Sequence, residues 1–390
     1  MCNNEQSGTA KIAALENERK SKVIVYFLGD RQPFGTRIAE DCVRPFYEHL
    51  LALEFPDTTN RVIDLFLYSR GGDVSVPWRI ASMIREFCDE FNVLIPYKAQ
   101  SAATLLSLGA DNIVMGRKAE LGPIDPTLVK GTAGEGAVPP QEVSVEDVNS
   151  FLSFIKERAN ITDQTALSEV VRCLVDQIGP LTVGNVNRQN SHIRLVARKL
   201  LASRRQKPDE ERIDTVIETL TEKIYSHGHG IARKEAKDIG LPVEFAEGNI
   251  ENLMWELYSL YEKFLDMSDP LYPEVALTDK EHEVLQKVPM AVIESMAKRH
   301  VHRGHIDLVK TREVPASPQI NVNLNLQLPP GIKPEALPQQ VQSLFQQMVQ
   351  QVAQEVPSIV QKEIARQSPV KGFGGRVYGG KWHDETTEHQ

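Results

Sequence analysis

Tyr97-Lys98-Ala99-Gln100-Ser101-Ala102-Ala103-Thr104-Leu105-Leu106-Ser107-Leu108-Gly109-Ala110-Asp111 reads as the exit of an apolar strand that turns directly into a helix of small residues, with Ser101 at the turn. Upstream, a second strand, Val62-Ile63-Asp64-Leu65-Phe66-Leu67-Tyr68, ends in Ser69-Arg70-Gly71-Gly72-Asp73. A helix start offers unpaired N–H groups and the positive end of a dipole, and adjacent glycines let another backbone N–H approach closely. A hydroxyl held between the two is what acyl transfer to a serine requires. Each piece also has a plainer reading. Serine is a favoured helix N-cap, and Gly-Gly is a common turn.

Outward from this pair, short apolar strands alternate with helices. Val23–Leu28 is a strand stopped by Gly29-Asp30, and Val43, Phe46, Tyr47, Leu50 and Leu51 give the segment Ile38–Leu53 a helical spacing. A helix over Val76–Phe91, a strand over Val93–Tyr97 and another over Asn112–Met115 continue the alternation. Continuous apolar strands separated by helices predict a parallel α/β core covered on both faces. Thr132–Pro140 is a Gly/Ala/Pro-rich loop. Helices are predicted over Ser144–Arg158, Thr165–Gln177, Asn185–Arg204, Glu210–Tyr225, Ile231–Leu241 and residues 249–266, then a helix and a strand over 281–313. Ile320–Leu328 alternates apolar and amide residues as a strand with one polar face. Residues 338–366 follow as a helix whose Val341, Phe345, Met348, Val352, Val356 and Ile359 form a seam, kinked at Pro357. The last residues, from Gly372, read as flexible.

With 53 acidic and 44 basic residues the 390-residue chain carries a net charge of −9, which argues against a dedicated nucleic-acid or anionic-membrane binder. The basic run Arg194–Lys207 reads as a solvated helix face. Cys2, Cys42, Cys88 and Cys173 form no CxxC spacing, so no metal site is predicted, and a reducing compartment is expected. The first residues are polar, without a basic-then-apolar leader, and no apolar run approaches the ~20 residues that span a bilayer. The expectation is a soluble, cytoplasmic protein without a cofactor.

Ser69-Arg70-Gly71-Gly72-Asp73, Ala99-Gln100-Ser101-Ala102-Ala103-Thr104, Ala110-Asp111-Asn112-Ile113-Val114-Met115-Gly116 and Leu121-Gly122-Pro123-Ile124-Asp125-Pro126 occur in that order. The series resembles the serine dehydrogenase proteinase family, within the wider group that contains the Clp protease proteolytic subunit and signal peptide peptidase A. Tyr225-Ser226-His227-Gly228-His229-Gly230-Ile231, with Glu235-Ala236 and Ile239-Gly240-Leu241, resembles that family's closing segment, so the likeness covers residues 22–245. The resemblance implies a ClpP/crotonase-like α/β fold of repeated ββα units with helical additions, to which the periodicity of residues 320–366 adds a C-terminal strand-plus-helix extension. It implies Ser101 as nucleophile, with backbone N–H groups of the Gly71-Gly72 turn and Ala102 as the oxyanion hole. On this basis residues 1–21 are a polar lead-in and 22–266 the hydrolase domain. Residues 267–313 close it; 314–367, read from their own periodicity, are a strand and an amphipathic helix that either pair with copies of the chain or dock back on their own domain, and 368–390 are a flexible tail.

The base is open. The Clp subunit's histidine aligns near Ile124–Pro126, where this chain has none. Signal peptide peptidases use a lysine from a later helical region, and Lys156, after the apolar run Phe151–Ile155, is the candidate here; burial would lower its proton affinity. His227 and His229 fall where the Clp triad aspartate aligns, and a histidine titrates near neutral pH. Asp125 either orients a base or caps a turn, and His192 reads as helix packing. Three functions compete: an ATP-independent serine peptidase acting on peptides or unfolded segments, a catalytically silent scaffold, and an acyl-CoA enzyme that uses the oxyanion hole alone. The resemblance also implies a homo-oligomer.

Overall fold

The computed structural model describes residues 8–56, 59–124, 148, 150, 151, 153–223, 228–313 and 338–386, and the backbone of 127–130 and 141–144. The predicted loop Thr132–Pro140 and strand Ile320–Leu328 lie outside the described residues. The chain divides into two units by its contacts. The first holds residues 1–270, 287–304 and 379–390, and the second 271–286 and 305–378.

The strands in chain order are β1 (Lys22–Leu28), β2 (Val62–Tyr68), β3 (Glu90–Ile95), β4 (Lys98–Ala99), β5 (Asn112–Met115), β6 (Glu120–Leu121), β7 (Thr127–Lys130), β8 (Gln141–Ser144), β9 (Ile231–Ala232), β10 (Val243–Phe245), β11 (His282–Glu294), β12 (Arg299–Arg312) and β13 (Val370–Asp384). The large sheet has the order β10-β5-β3-β2-β1-β11-β12-β13. From β10 to β1 every neighbouring pair is parallel, and β11 joins β1 antiparallel. Strands buried on both faces need no polar alternation, which is why they read as continuous apolar runs.

Within each run the period of two still sorts side chains between two cores. Ile24, Tyr26, Ile63, Leu65, Leu67, Val93, Ile95, Ile113 and Met115 face one way. They pack with helices α2 (Val43–Leu51), α3 (Val76–Arg85), α4 (Ala102–Leu108), Pro180–Ala202 and Glu210–Glu218. Val23, Val25, Phe27, Phe66, Tyr68, Leu94 and Val114 face the other way, against α1 (Thr9–Arg19) and helix Gly248–Phe264. Each such side chain contributes roughly 1.5–3 kcal/mol on burial. Asp64, fully buried at the entrance of β2, is held by Arg19, by the Ser21 hydroxyl at 2.9 Å and by the Asn92 amide at 3.0 Å.

Several boundaries differ from the sequence reading. Ile38 is not helical. It pairs with Gly72, and the helix is Val43–Leu51 after a 3₁₀ turn over Glu40–Cys42. The helix from Val76 ends at Arg85 rather than Phe91, because the Asp89 and Glu90 N–H groups bond to the Arg61 carbonyl (2.8 and 3.1 Å) and draw the chain into β3. That strand is accordingly Glu90–Ile95, and Pro96 follows it. Among the described residues of 144–158, Ser144 ends β8, Val148, Ser150, Phe151 and Ser153 are helical, and Phe154–Arg158 continues as a π turn, so the predicted helix is met except at its first residue. The segment 281–313 is a hairpin, β11 and β12, with no helix in it, and the only described helix nearby is the short Pro273–Ala276.

The glycine-rich end is a strand, β13, rather than a flexible tail. In the first unit Trp382 packs against the core, the Glu385 N–H bonds to the Arg299 carbonyl at 2.9 Å, and Arg303 grips the Glu385 carboxylate at 2.6 Å. Helices Gln164–Ile178, Arg233–Ile239, Gly248–Phe264 and Gln339–Gln367 lie where periodicity predicted them. The last of these, in the second unit, holds Pro357 within it and leaves Val341, Leu344, Met348, Val352 and Ile359 exposed. Among the described residues no helix is long and apolar enough to cross a membrane. Cys42 and Cys88 are buried free thiols, Cys173 is an exposed one, and burial pushes the Cys42 and Cys88 thiols up to about 12.

Near its end α2 carries a fully buried histidine. His49 Nδ1 lies 2.8 Å from Ser295 Oγ, and its Nε2 lies 3.1 Å from His300 Nδ1. Burial, with His300 and Lys298 beside it, pushes His49 down to about 3. The unfolded chain takes that proton near pH ~6.5. The sign is therefore that of a base kept neutral by folding: its contribution is complete above about pH 6.5 and is lost as the pH falls toward 3. Urea denaturation of wild type and His49→Gln from pH 7.5 to 4.5 checks this. The variant is expected to lose stability less steeply with acid, and parallel pH profiles would contradict the assignment.

Candidate active site

The large sheet delivers two chain segments to one place. Where β2 ends, Ser69 pairs with Ala99, its N–H bonding to the Lys98 carbonyl at 2.9 Å and its carbonyl accepting the Gln100 N–H at 3.0 Å. Three residues on, Gly72 pairs with Ile38. The Ile38 N–H bonds to the Gly71 carbonyl and the Asp73 N–H to the Ile38 carbonyl, both at 2.8 Å. In such a parallel bridge the partners of Ile38 are residues 71 and 73, so the N–H of Gly72 points to the opposite side. Both glycines hold positive φ, +109° at Gly71 and +153° at Gly72. A Cβ on Gly72 would collide with the Ile38 backbone, and a Cβ on Gly71 would sit 2.7 Å from Ser101 Cβ and 3.2 Å from its Oγ. Only glycine fits at either position.

Ser101 leaves β4 at φ 52°, ψ −116°, and α4 starts at Ala102. A non-glycine residue at such angles costs about 1–3 kcal/mol. The ordinary reason for a serine at a helix start does not apply here, because the hydroxyl makes no capping hydrogen bond. Among the described residues no acceptor takes the N–H of Ala102 or of Gly72, whereas the Gly71 N–H donates to Ser69 Oγ at 2.9 Å. Of the three backbone donors expected from the sequence, Gly71 is therefore engaged, and its part is to let Ser101 approach. Gly72 and Ala102 keep the unpaired N–H groups that a developing oxyanion needs.

The turn is braced from behind. The buried Thr104 hydroxyl lies 2.8 Å from the carbonyls of Ala99 and Gly122 and accepts the Gly122 N–H at 3.0 Å, which ties α4 to the segment after β6. β6 lies between β4 and β9 in a small second sheet. At the far end of α4, Asp111 accepts hydrogen bonds from Arg85 (2.6 and 2.9 Å) and from the N–H groups of Phe91 (2.9 Å) and Arg205 (2.7 Å). Burial raises the affinity of Asp111 for a proton, but Arg85 and the N–H donors outweigh it and hold the carboxyl below its usual range. The Ala110-Asp111 motif thus serves as an anchor.

Ser101 opens on a cavity of about 350 Å³ lined by Arg70, Tyr97, Lys98, Gln100, Glu120, Pro123 and Gly228. Gln100 Nε2 donates to Glu120 Oε1 at 2.9 Å. Lys98 Nζ lies 3.9 Å from an Asp30 oxygen and 4.7 Å from the Tyr97 ring centre. Lys156, expected to be enclosed by the apolar run before it, is exposed on the π turn and does not line this cavity; its neighbour Ile155 takes the buried position. His229 is exposed, with Nε2 2.9 Å from Glu235 Oε1. His192 is half-buried on helix Pro180–Ala202. His227 and Asp125 lie outside the described residues, while Gly228, next to His227, is part of the cavity wall.

Arg70, Tyr97, Lys98, Gln100 and Glu120 were not singled out in the sequence. The first four flank the two motifs and carry that signal. Nothing in the linear order points to Glu120, which arrives only because β6 pairs with β4.

Gly71→Ala tests the contact on which this geometry rests. With the new methyl forced against Ser101, the rate of labelling by a fluorophosphonate is expected to fall at least about a hundredfold, the scale of a 1 Å misplacement. The melting temperature reports separately on folding. Labelling at the wild-type rate would show that the two segments do not meet as described.

A family model for ClpP-like SDH-type serine proteinases matches residues 10–283. The uncharacterized protein MJ0137 of Methanocaldococcus jannaschii is 28% identical over 255 residues, which covers 64% of this chain and 76% of that one. Among solved structures, ClpP1 from Listeria monocytogenes aligns at 14% identity with a TM-score of 0.32, over 60% of this chain and 97% of that one. The membrane-bound stomatin-specific protease 1510-N aligns at 16% identity with a TM-score of 0.30, over 55% of this chain and 78% of that one. The family match is wider than the stretch 22–245 recognised by motif. It takes in α1 and helix Gly248–Phe264, the two helices that cover the second face of the sheet, together with every residue of the cavity. The fold is a ClpP-like α/β fold, and the chain belongs to the ClpP-like SDH-type serine proteinases.

Proposed function

We propose that the protein is an ATP-independent serine peptidase that cuts peptides or unfolded protein segments through an acyl-enzyme on Ser101. The observation that carries this reading is the Ser101 hydroxyl itself. It is free of any cap bond, held at a strained turn, and set beside the N–H groups of Gly72 and Ala102, which no acceptor among the described residues takes. In the acylation step the hydroxyl oxygen adds to the scissile carbonyl carbon, its proton passes to a base, and the carbonyl oxygen becomes an oxyanion received by the two N–H groups. Collapse expels the amine, which takes the proton back, and water then releases the acid by the same route. Each oxyanion donor contributes about 3 kcal/mol in well-measured cases. No metal or cofactor is needed for this sequence of steps.

We assign the base to His227. Its place in the segment that resembles the family's closing stretch supports this, and the described residue that follows it in sequence, Gly228, lines the cavity. Lys98 lines the same cavity, but it lies beside Asp30 and over the Tyr97 ring, contacts that suit a cation rather than a proton acceptor. Lys156 is exposed, and His229 faces Glu235.

Fluorophosphonate labelling followed by peptide mapping tests the nucleophile. Ser101→Ala is expected to abolish the label, and label retained in that variant would defeat the proposal. For the base, the wild-type acylation rate is expected to rise with pH as the base loses its proton, because histidine must be neutral to accept one. In His227→Gln that rise is expected to disappear along with at least about a hundredfold of the rate. A full rate with an unchanged profile would reassign the base.

We also propose that copies of the chain associate through helix Gln339–Gln367. Its exposed apolar residues recur every three or four positions, and residues 339–354 carry no charge that would select a charged partner. Light scattering of Leu344→Glu/Met348→Glu is expected to give a smaller particle than wild type. Equal masses would count against the helix as an assembly element.

A further inference from the structure

The charge around Ser101 runs against the charge of the molecule. The chain carries an excess of nine acidic residues, yet the side chains that reach the cavity include two cations, Arg70 and Lys98, and one carboxylate, Glu120. That carboxylate accepts the Gln100 amide through Oε1 at 2.9 Å, and the two cations outnumber it. Lys98 keeps only a long contact with Asp30 at 3.9 Å, and Asp30 also accepts the Tyr68 hydroxyl at 3.0 Å. Arg70 is exposed and, among the described residues, has no hydrogen-bond or ion-pair acceptor. A third cation stands behind the wall, with Lys118 Nζ 3.9 Å from the Tyr97 ring centre and 5.1 Å from that of Trp255. A cavity of about 350 Å³ is at the small end of ligand-sized pockets, so whatever occupies it beside Ser101 also meets Arg70 and Lys98.

Resting on the peptidase reading, we infer that this cavity selects a substrate carboxylate next to the scissile bond, with Arg70 and Lys98 as the specificity-determining residues. Arginine presents a planar fork that matches a carboxylate, and an unpartnered one at a site mouth is set to receive it. Lys98 adds a second donor from the same turn that carries Ser101. Tyr97, with cations over its ring, gives the side of the pocket a rigid wall. The carboxylate can be an Asp or Glu side chain or the free C-terminus of a peptide. Both present the same group to the two cations. Because the site is open to solvent, the selection is electrostatic and screened by salt.

The test uses the full-length protein and internally quenched peptides built on one neutral sequence. One pair differs by Glu or Gln at each position around the cleaved bond, and a second pair differs by a C-terminal acid or amide. At low ionic strength kcat/KM is expected to be about tenfold higher for the carboxylate member of one pair, shrinking toward equality in 0.5 M NaCl. The pair that shows the preference identifies the source of the carboxylate. In Arg70→Gln and Lys98→Gln the preference is expected to contract, and in Arg70→Glu to turn toward a Lys-containing peptide, a gain that misfolding cannot mimic.

Calorimetric binding of the same peptides to Ser101→Ala protein gives a second readout that needs no catalysis, and the same order of affinity is expected there. Equal treatment of both pairs in cleavage and in binding overturns the inference, as does a preference that persists unchanged in both Gln variants. Failure of the peptidase reading looks different: wild type takes no fluorophosphonate label, while binding to Ser101→Ala protein still reports on the carboxylate.

Discussion

The arrangement at Ser101 depends on a space too small for a methyl group. Gly71 at φ +109° presses its Cα against Ser101, and a side chain there would stand 2.7 Å from Ser101 Cβ. That contact is not a local choice of either segment. It follows from two short parallel bridges, Ser69 to Ala99 and Gly72 to Ile38, which hang the turn between β4 and the chain after β1. Because residues 71 and 73 satisfy Ile38, the Gly72 N–H is left for the other side. The strain at Ser101 has the same origin. The chain must pass from β4 into α4 within two residues, Gln100 and Ser101, while staying clear of Gly71.

Such a turn keeps its shape only on a rigid base, and the sheet supplies it. β1, β2, β3 and β5 are buried on both sides, with alternate residues in two separate cores. A shift of β2 by one residue would exchange those cores and carry Asp64 away from Arg19, Ser21 and Asn92. Breaking a buried ion pair by removing one partner costs about 3–5 kcal/mol. The register of β2 is thus tightly held at its entrance, and the diglycine turn at its exit inherits that precision. Thr104 and Asp111 do the same for α4, one at each end.

The cavity shows how little overall charge says about a site. Its cations come from the ends of β2 and β4, where the chain must leave the apolar sheet and polar residues are tolerated. Elsewhere many of the chain's charges stand in exposed ion pairs such as Arg198 with Glu210 and Lys280 with Glu283. Exposed pairs of this kind contribute little to stability and are screened within about 10 Å at ordinary salt. They do not reach the field around Ser101.

Much of this was legible in the linear order. The apolar runs of β1, β2 and β5, the Ser-Arg-Gly-Gly-Asp turn and the serine at a strand-to-helix turn are local patterns, set by which residues tolerate burial or positive φ. What lay beyond reach was everything that depends on pairing between distant segments. Glu120 enters the cavity because β6 lies beside β4, and Gly-rich Val370–Asp384 is a strand because β12 and the core offer it partners. Lys156 faces solvent because the chain makes a π turn that spends its inward position on Ile155. The sequence by itself determined where the chain would be buried and where it would turn. Only the tertiary structure decided which hydroxyl is left uncapped, which N–H groups stay unpaired and which charges meet them, because each of those is a contact between residues far apart in the chain.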